Sequence, residues 1–183
     1  LMTMMLTAMS VAREREEGTF DQLLVAPFTP TEIMIGKAVP SMIVGITQAS
    51  TILLVALFWF RIPFAGSFLT LYLGLSLFLA AAIGFGLFLS SIAANMQQAM
   101  ILCFVFLMPF MLLSGLMSPT DNMPEILQYA TMINPLKYAI NITRGVYLEG
   151  AGIDTLLPDM LALVAIAAAT MPVAAWMFRH RLN

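Results

Sequence analysis

Apolar positions run almost unbroken along this chain, and two polar intervals divide them. Residues 38–60 and 67–91 carry no charge, nor do residues 99–117, and residues 156–178 carry only Asp159. A hydrocarbon core about 30 Å thick is crossed by roughly 20 apolar residues in a helix, so each run is long enough to span. Residues 1–12 are apolar but too short to cross alone and read as the end of a span. The pattern predicts an all-α, polytopic membrane helical bundle. Its full spans are 38–60, 67–91, 99–117 and 156–178, and its polar intervals are 13–37 and 118–155.

Polar and small residues inside the spans set expectations for packing. Ser41, Gly45 and Ala49 recur every four residues, as do Ala82, Gly86, Ser90 and Ala94. Such small faces let helices approach closely in lipid. Pro109 should kink its span. Gln48 is the most polar side chain in any span, and it suits a hydrogen bond to a neighbouring helix ahead of a substrate contact. Phe106, Phe110 and Met111 belong to an aromatic and methionine wall that serves packing first and could line a path for a greasy substrate.

The interval 13–37 holds eight of the chain's eighteen formal charges, five acidic and three basic. Arg13, Glu14, Arg15, Glu16 and Glu17 carry an apolar helix out into water, with Arg13 and Glu17 at pairing distance four residues apart. Gly18 weakens that helix. Thr19 and Gln22 stand at a capping-box spacing, and Phe20, Leu23 and Leu24 give a short helix one apolar face. Pro27 ends it, and Thr29-Pro30-Thr31-Glu32 marks a further helix start. A plain connection needs only a few residues. This one is long, twice capped and amphipathic, which favours docking over a solvated loop. Its acidic excess disfavours an anionic lipid surface, so a protein partner is the better match.

The interval 118–155 carries Pro119, Pro124 and Pro135. Two half-polar helices are expected, Pro124 to Met132 and Leu136 to Glu149, ended by Asn134-Pro135 and Gly150. Neither is apolar or long enough to cross, so both read as interfacial or re-entrant.

Composition narrows the function classes. The chain is 61% hydrophobic and 10% charged, where a soluble domain carries about a quarter charged residues. No basic patch exists for nucleic acid. One cysteine and one histidine leave no metal constellation, and the 16 methionines read as flexible packing in a bilayer. Gly36-Lys37 lacks the flanking pattern of a phosphate-binding loop, and no nucleophile elbow or zinc-binding His pair occurs. No acid pair lies within the spans, which disfavours a proton-driven carrier. Residues 13, 15, 37, 179 and 181 place five basic side chains on one membrane face against Arg61, Lys137 and Arg144 on the other, a modest bias that puts 13–37 in the cytoplasm.

The order Arg-Glu-Arg-Glu-Glu-Gly-Thr-Phe-Asp-Gln-Leu-Leu, then Pro27 and Thr31 to Lys37, resembles the cytoplasmic loop after the second span of ABC-2 type permeases. Asn134, Pro135, Leu136, Tyr138, Arg144, Gly145, Leu148 and Gly150 resemble the outer-face segment after their fifth span. The resemblance covers nearly the whole chain. It implies a fragment of a half-transporter with the type V exporter-like architecture, the C-terminal two-thirds or so of six spans, in the cytoplasmic (inner) membrane. It implies that residues 13–24 couple to a separate ABC ATPase subunit, which holds ATP and Mg, and that a second permease subunit completes the transporter. No catalytic residue, metal or cofactor is expected on this chain. The implied activity is outward movement of an amphipathic or hydrophobic substrate, drug-like molecules ahead of lipids or polysaccharides. A membrane-embedded enzyme, an ion-coupled carrier and a non-transporting scaffold are the rival classes.

Overall fold

A computed structural model describes residues 2–18, 30–116 and 123–180, and among these every regular element is helical. The elements are α1 (Met2–Glu16), α2 (Pro30–Leu54), α3 (Phe68–Ile92), α4 (Met96–Leu112), α5 (Glu125–Thr131), α6 (Pro135–Glu149) and α7 (Ile153–His180). The last turn of α2 widens into a π turn, Val55–Trp59, in which Phe60 N donates to Val55 O.

Among the described residues three stretches are long and apolar enough to cross a membrane, namely Glu32–Trp59, Phe68–Ile92 and Ile153–Met177. The interval 99–117, expected as a fourth span, instead holds a shorter apolar helix of 17 residues, Met96–Leu112. At 1.5 Å per residue that is about 26 Å, just under a typical core thickness. It also starts three residues early, because Asn95 caps it: its side chain accepts from Gln98 N at 2.8 Å, while Gln98 Oε1 accepts from Ala94 N at 2.7 Å. Residues 93–95 alone join it to α3.

The bundle is organised around α3, whose C-terminal half is almost wholly buried. Small residues explain this. Gly86 lies so close to the Met4 carbonyl of α1 that an added Cβ would sit 2.6 Å from it. Gly84 meets Thr170 of α7 in the same way, and Gly74 meets Ile142 of α6. Gly45 and Ser41 of α2 are buried too: Thr7 Oγ1 donates to Ser41 Oγ at 2.9 Å, and Gly45 faces Thr3 and Leu79. The small face of α2 therefore packs within the chain, on α1 and α3.

These neighbours fix the directions. Ser91 Oγ donates to Met177 Sδ at 3.4 Å, so α3 and α7 finish side by side. Arg15 reaches Ser91, so α1 finishes there as well, beside the second turn of α2 and the first turn of α4. The opposite end holds the 60–67 segment, where Ala65 N donates to Tyr147 O at 3.2 Å, and the start of α7, where Leu156 packs on Gly145.

α6 packs against the N-terminal half of α3 and against α7. Its cap, Asn134, is buried and bonds twice: Nδ2 donates to Phe110 O at 2.7 Å and Oδ1 accepts from Leu136 N at 3.0 Å. Gly150 closes α6 in the left-handed region, φ +66°, against the Ala65 carbonyl.

Candidate functional site

The charged run at the end of α1 meets three other helices. Glu14 is hydrogen-bonded to Lys37 of α2, and both side chains are mostly enclosed. Arg15 Nη1 donates to Ala93 O at 2.9 Å and to Ser91 O at 3.3 Å, at the end of α3. Glu16 Oε2 accepts from Met96 N at 3.1 Å, at the start of α4. Helix ends expose unpaired carbonyls at one terminus and unpaired amides at the other. A cation on the first and an anion on the second match the helix dipoles, each contributing about 0.3–1 kcal/mol.

Arg13 and Glu17 behave differently. Arg13 Nε donates to Glu17 Oε1 at 2.8 Å across one exposed turn, with the two side chains 65% and 51% accessible. An exposed pair four residues apart contributes only a few tenths of a kcal/mol. The carboxylate of Glu17 raises the Arg13 guanidinium further above its ordinary value, through the hydrogen bond first and its charge second. Gly18 then turns the chain at φ +70°. Thr19, Phe20, Leu23 and Leu24 of the expected coupling helix lie outside the described residues.

Beside this end of α1 is an open groove of about 440 Å³. Leu6, Met9 and Met96 supply apolar walls, while Arg13, Glu14 and Glu17 supply a charged rim. Its chemistry is amphipathic.

The other sequence-derived residues are dispersed. Gln48 is exposed on α2 and donates from Nε2 to Met2 Sδ at 3.5 Å. Phe106, Phe110 and Met111 are partly buried on α4, and Phe110 meets Phe85 edge-on at 5.2 Å and Phe106 at 6.3 Å. The two rings join the core between α1, α3 and α4. Phe104, Val105 and Met108 face outward. Near the other end of the bundle, Pro135 is buried and Arg144 exposed. Tyr138 OH donates to Met132 O at 2.9 Å and Lys137 Nζ to Thr131 Oγ1 at 3.0 Å. Burial, and then the charge of Asp159 on α7, raise the Tyr138 phenol above its ordinary range. Among the described residues no group of His, Cys, Asp or Glu could hold a metal.

Sequence reasoning missed the inward partners of Arg15 and Glu16, because they lie 76 to 80 residues away along the chain. The one available signal was Asn95 with Gln98 three residues on, a helix-start pattern with charged residues elsewhere left to satisfy its flanks.

A family model described as ABC-2 type transporter matches residues 1–148. The chain is 45% identical to a probable multidrug ABC transporter permease, YbhR, of Escherichia coli K12, over 98% of this chain and 49% of that one. It is 32% identical to the inner membrane transport permease YhhJ of the same strain, over 100% of this chain and 49% of that one. It is 26% identical to the linearmycin resistance permease protein LnrN of Bacillus subtilis, over 93% and 44%. The chain thus spans about half the length of the curated relatives it matches. No solved structure matches it.

Proposed function

This chain belongs to the ABC-2 type transporter family of membrane permeases, and from that premise we propose that it is part of a permease subunit that exports an amphipathic or hydrophobic substrate. The power comes from a separate ABC ATPase subunit on the cytoplasmic side, and a second permease subunit, identical or related, completes the transporter in the cytoplasmic membrane. The end of α1 and the segment after it receive the ATPase movement, and the spans tilt between inward-open and outward-open states.

The observation that carries this reading is the linkage of Glu14, Arg15 and Glu16 to α2, α3 and α4 at one end of the bundle. A solvated connection would not bond three helices at once. The amphipathic groove beside it suits a molecule entering from the inner leaflet. Relatives named for multidrug transport and linearmycin resistance favour a drug-like cargo.

Gentle purification of the full-length protein tests the partner, and reconstitution into vesicles tests the activity. The expected result is an ATPase subunit that co-purifies and an outward flux that requires ATP. Flux that survives without ATP but collapses with the proton gradient would indicate an ion-coupled carrier. An intact complex with no flux of any tested amphipathic compound would favour the scaffold.

A further inference from the structure

We propose that Arg15 and Glu16 are positioning residues that deliver movement of the charged segment to the corner between α3 and α4, an assignment that rests on the coupling role above. The corner is short. Ile92 ends α3, Met96 begins α4, and only residues 93–95 join them. Within the corner, Asn95 and Gln98 take the amides of Gln98 and Ala94. The last carbonyls of α3 and the first amide of α4 are met from outside, and by adjacent residues of α1. Arg15 takes the carbonyls of Ser91 and Ala93, and Glu16 takes the amide of Met96.

The geometry follows from helix periodicity. Consecutive residues point about 100° apart, so Arg15 and Glu16 straddle the corner, one on each helix. Their signs cannot be exchanged: a carboxylate cannot donate to carbonyls, and a guanidinium cannot accept from an amide. Displacement of the α1 end must therefore carry the end of α3 and the start of α4 together. Glu14 adds α2 through Lys37. Arg13 and Glu17, bonded to each other in solvent, leave the corner untouched and remain available to a partner. One charged run thus divides into an inward set that transmits and an outward pair that meets the partner.

The test uses the full-length permease with its ATPase subunit in lipid nanodiscs and vesicles, as wild type, Arg15→Met, Arg15→Lys and Glu16→Ala. Amide exchange over residues 90–99 reads the corner without reference to ATP. Arg15→Met and Glu16→Ala are expected to speed it by about fivefold, the effect of losing about 1 kcal/mol of local protection. Arg15→Lys, which keeps a cation but loses the planar fork, is expected to restore part of it. In vesicles, substrate moved per ATP hydrolysed is expected to fall by about tenfold in Arg15→Met, with the ATPase subunit bound as in wild type. Unchanged exchange overturns the assignment alone. Faster exchange with an unchanged transport ratio also overturns it, leaving the bonds structural. Weaker retention of the ATPase subunit, with an unchanged ratio in the complexes that remain, overturns it and makes Arg15 a docking residue instead. A wild-type complex with no ATP-dependent flux overturns the coupling role and the assignment together.

Discussion

At the scale of single residues, two glycines with opposite surroundings give a paired prediction. An added Cβ at Gly86 would meet the Met4 backbone carbonyl at 2.6 Å, whereas one at Gly36 meets nothing within 4 Å. Gly86→Ala must separate α1 from α3 and should cost about 1–3 kcal/mol. Gly36→Ala, on an exposed helical turn, should stabilise by about 0.5–1 kcal/mol. Thermal unfolding in one detergent checks both, with the two midpoints moving in opposite directions. Glu14 and Lys37 form the second residue-scale case. Their side chains are 23% and 21% accessible, so their pairing is screened less than the exposed Arg13–Glu17 pair. A double-mutant cycle of Glu14→Gln and Lys37→Met should give a coupling of about 1 kcal/mol. Additive losses would show that the two side chains do not depend on each other.

At the scale of elements, Asn134 joins two helices through one side chain. It caps α6 at Leu136 N and holds the Phe110 carbonyl at the end of α4, where Pro109 and the turn after Leu112 interrupt helical bonding. Asn134→Ala removes both bonds at a buried position and should destabilise by about 2 kcal/mol. Asn134→Asp keeps the cap but cannot donate to Phe110 O, so it should recover only part of the loss. Chemical denaturation of the three proteins in mixed micelles ranks them, and equal stability of all three would contradict this account.

The element starts and stops were largely legible. Asn134-Pro135 and Gly150 bound α6 as a cap and a left-handed glycine require, and Gly18 does end α1. The start of α4 was not read, because Asn95 and Gln98 looked like loop polarity until their reciprocal bonds were seen. Small-residue faces were legible as sites of close approach. Their partners were not, since spacing alone does not say whether α2 packs on its own chain or on another. The roles of the charged run were legible only at Arg13 and Glu17, whose pairing is local. Local periodicity carries no information about an α1 residue bonded to a helix end some 80 positions later.

At the scale of the whole molecule, the charged end of α1 meets α2, α3 and α4 at a single end of the bundle, and among the described residues three helices are long and apolar enough to cross a membrane. The account places that end of the bundle in the cytoplasm, against an ATPase. Cys103 is the one cysteine in this sequence, so Cys103→Ala, with any cysteine elsewhere in the full-length chain also replaced, lets one introduced thiol report alone. The most direct measurement puts that thiol at Glu17→Cys, in the full-length chain and in intact cells. The account predicts no labelling by a membrane-impermeant maleimide from outside, ready labelling in inverted vesicles, and a crosslinked adduct with the ATPase subunit. Labelling from the cell exterior, with no adduct from either side, would contradict it.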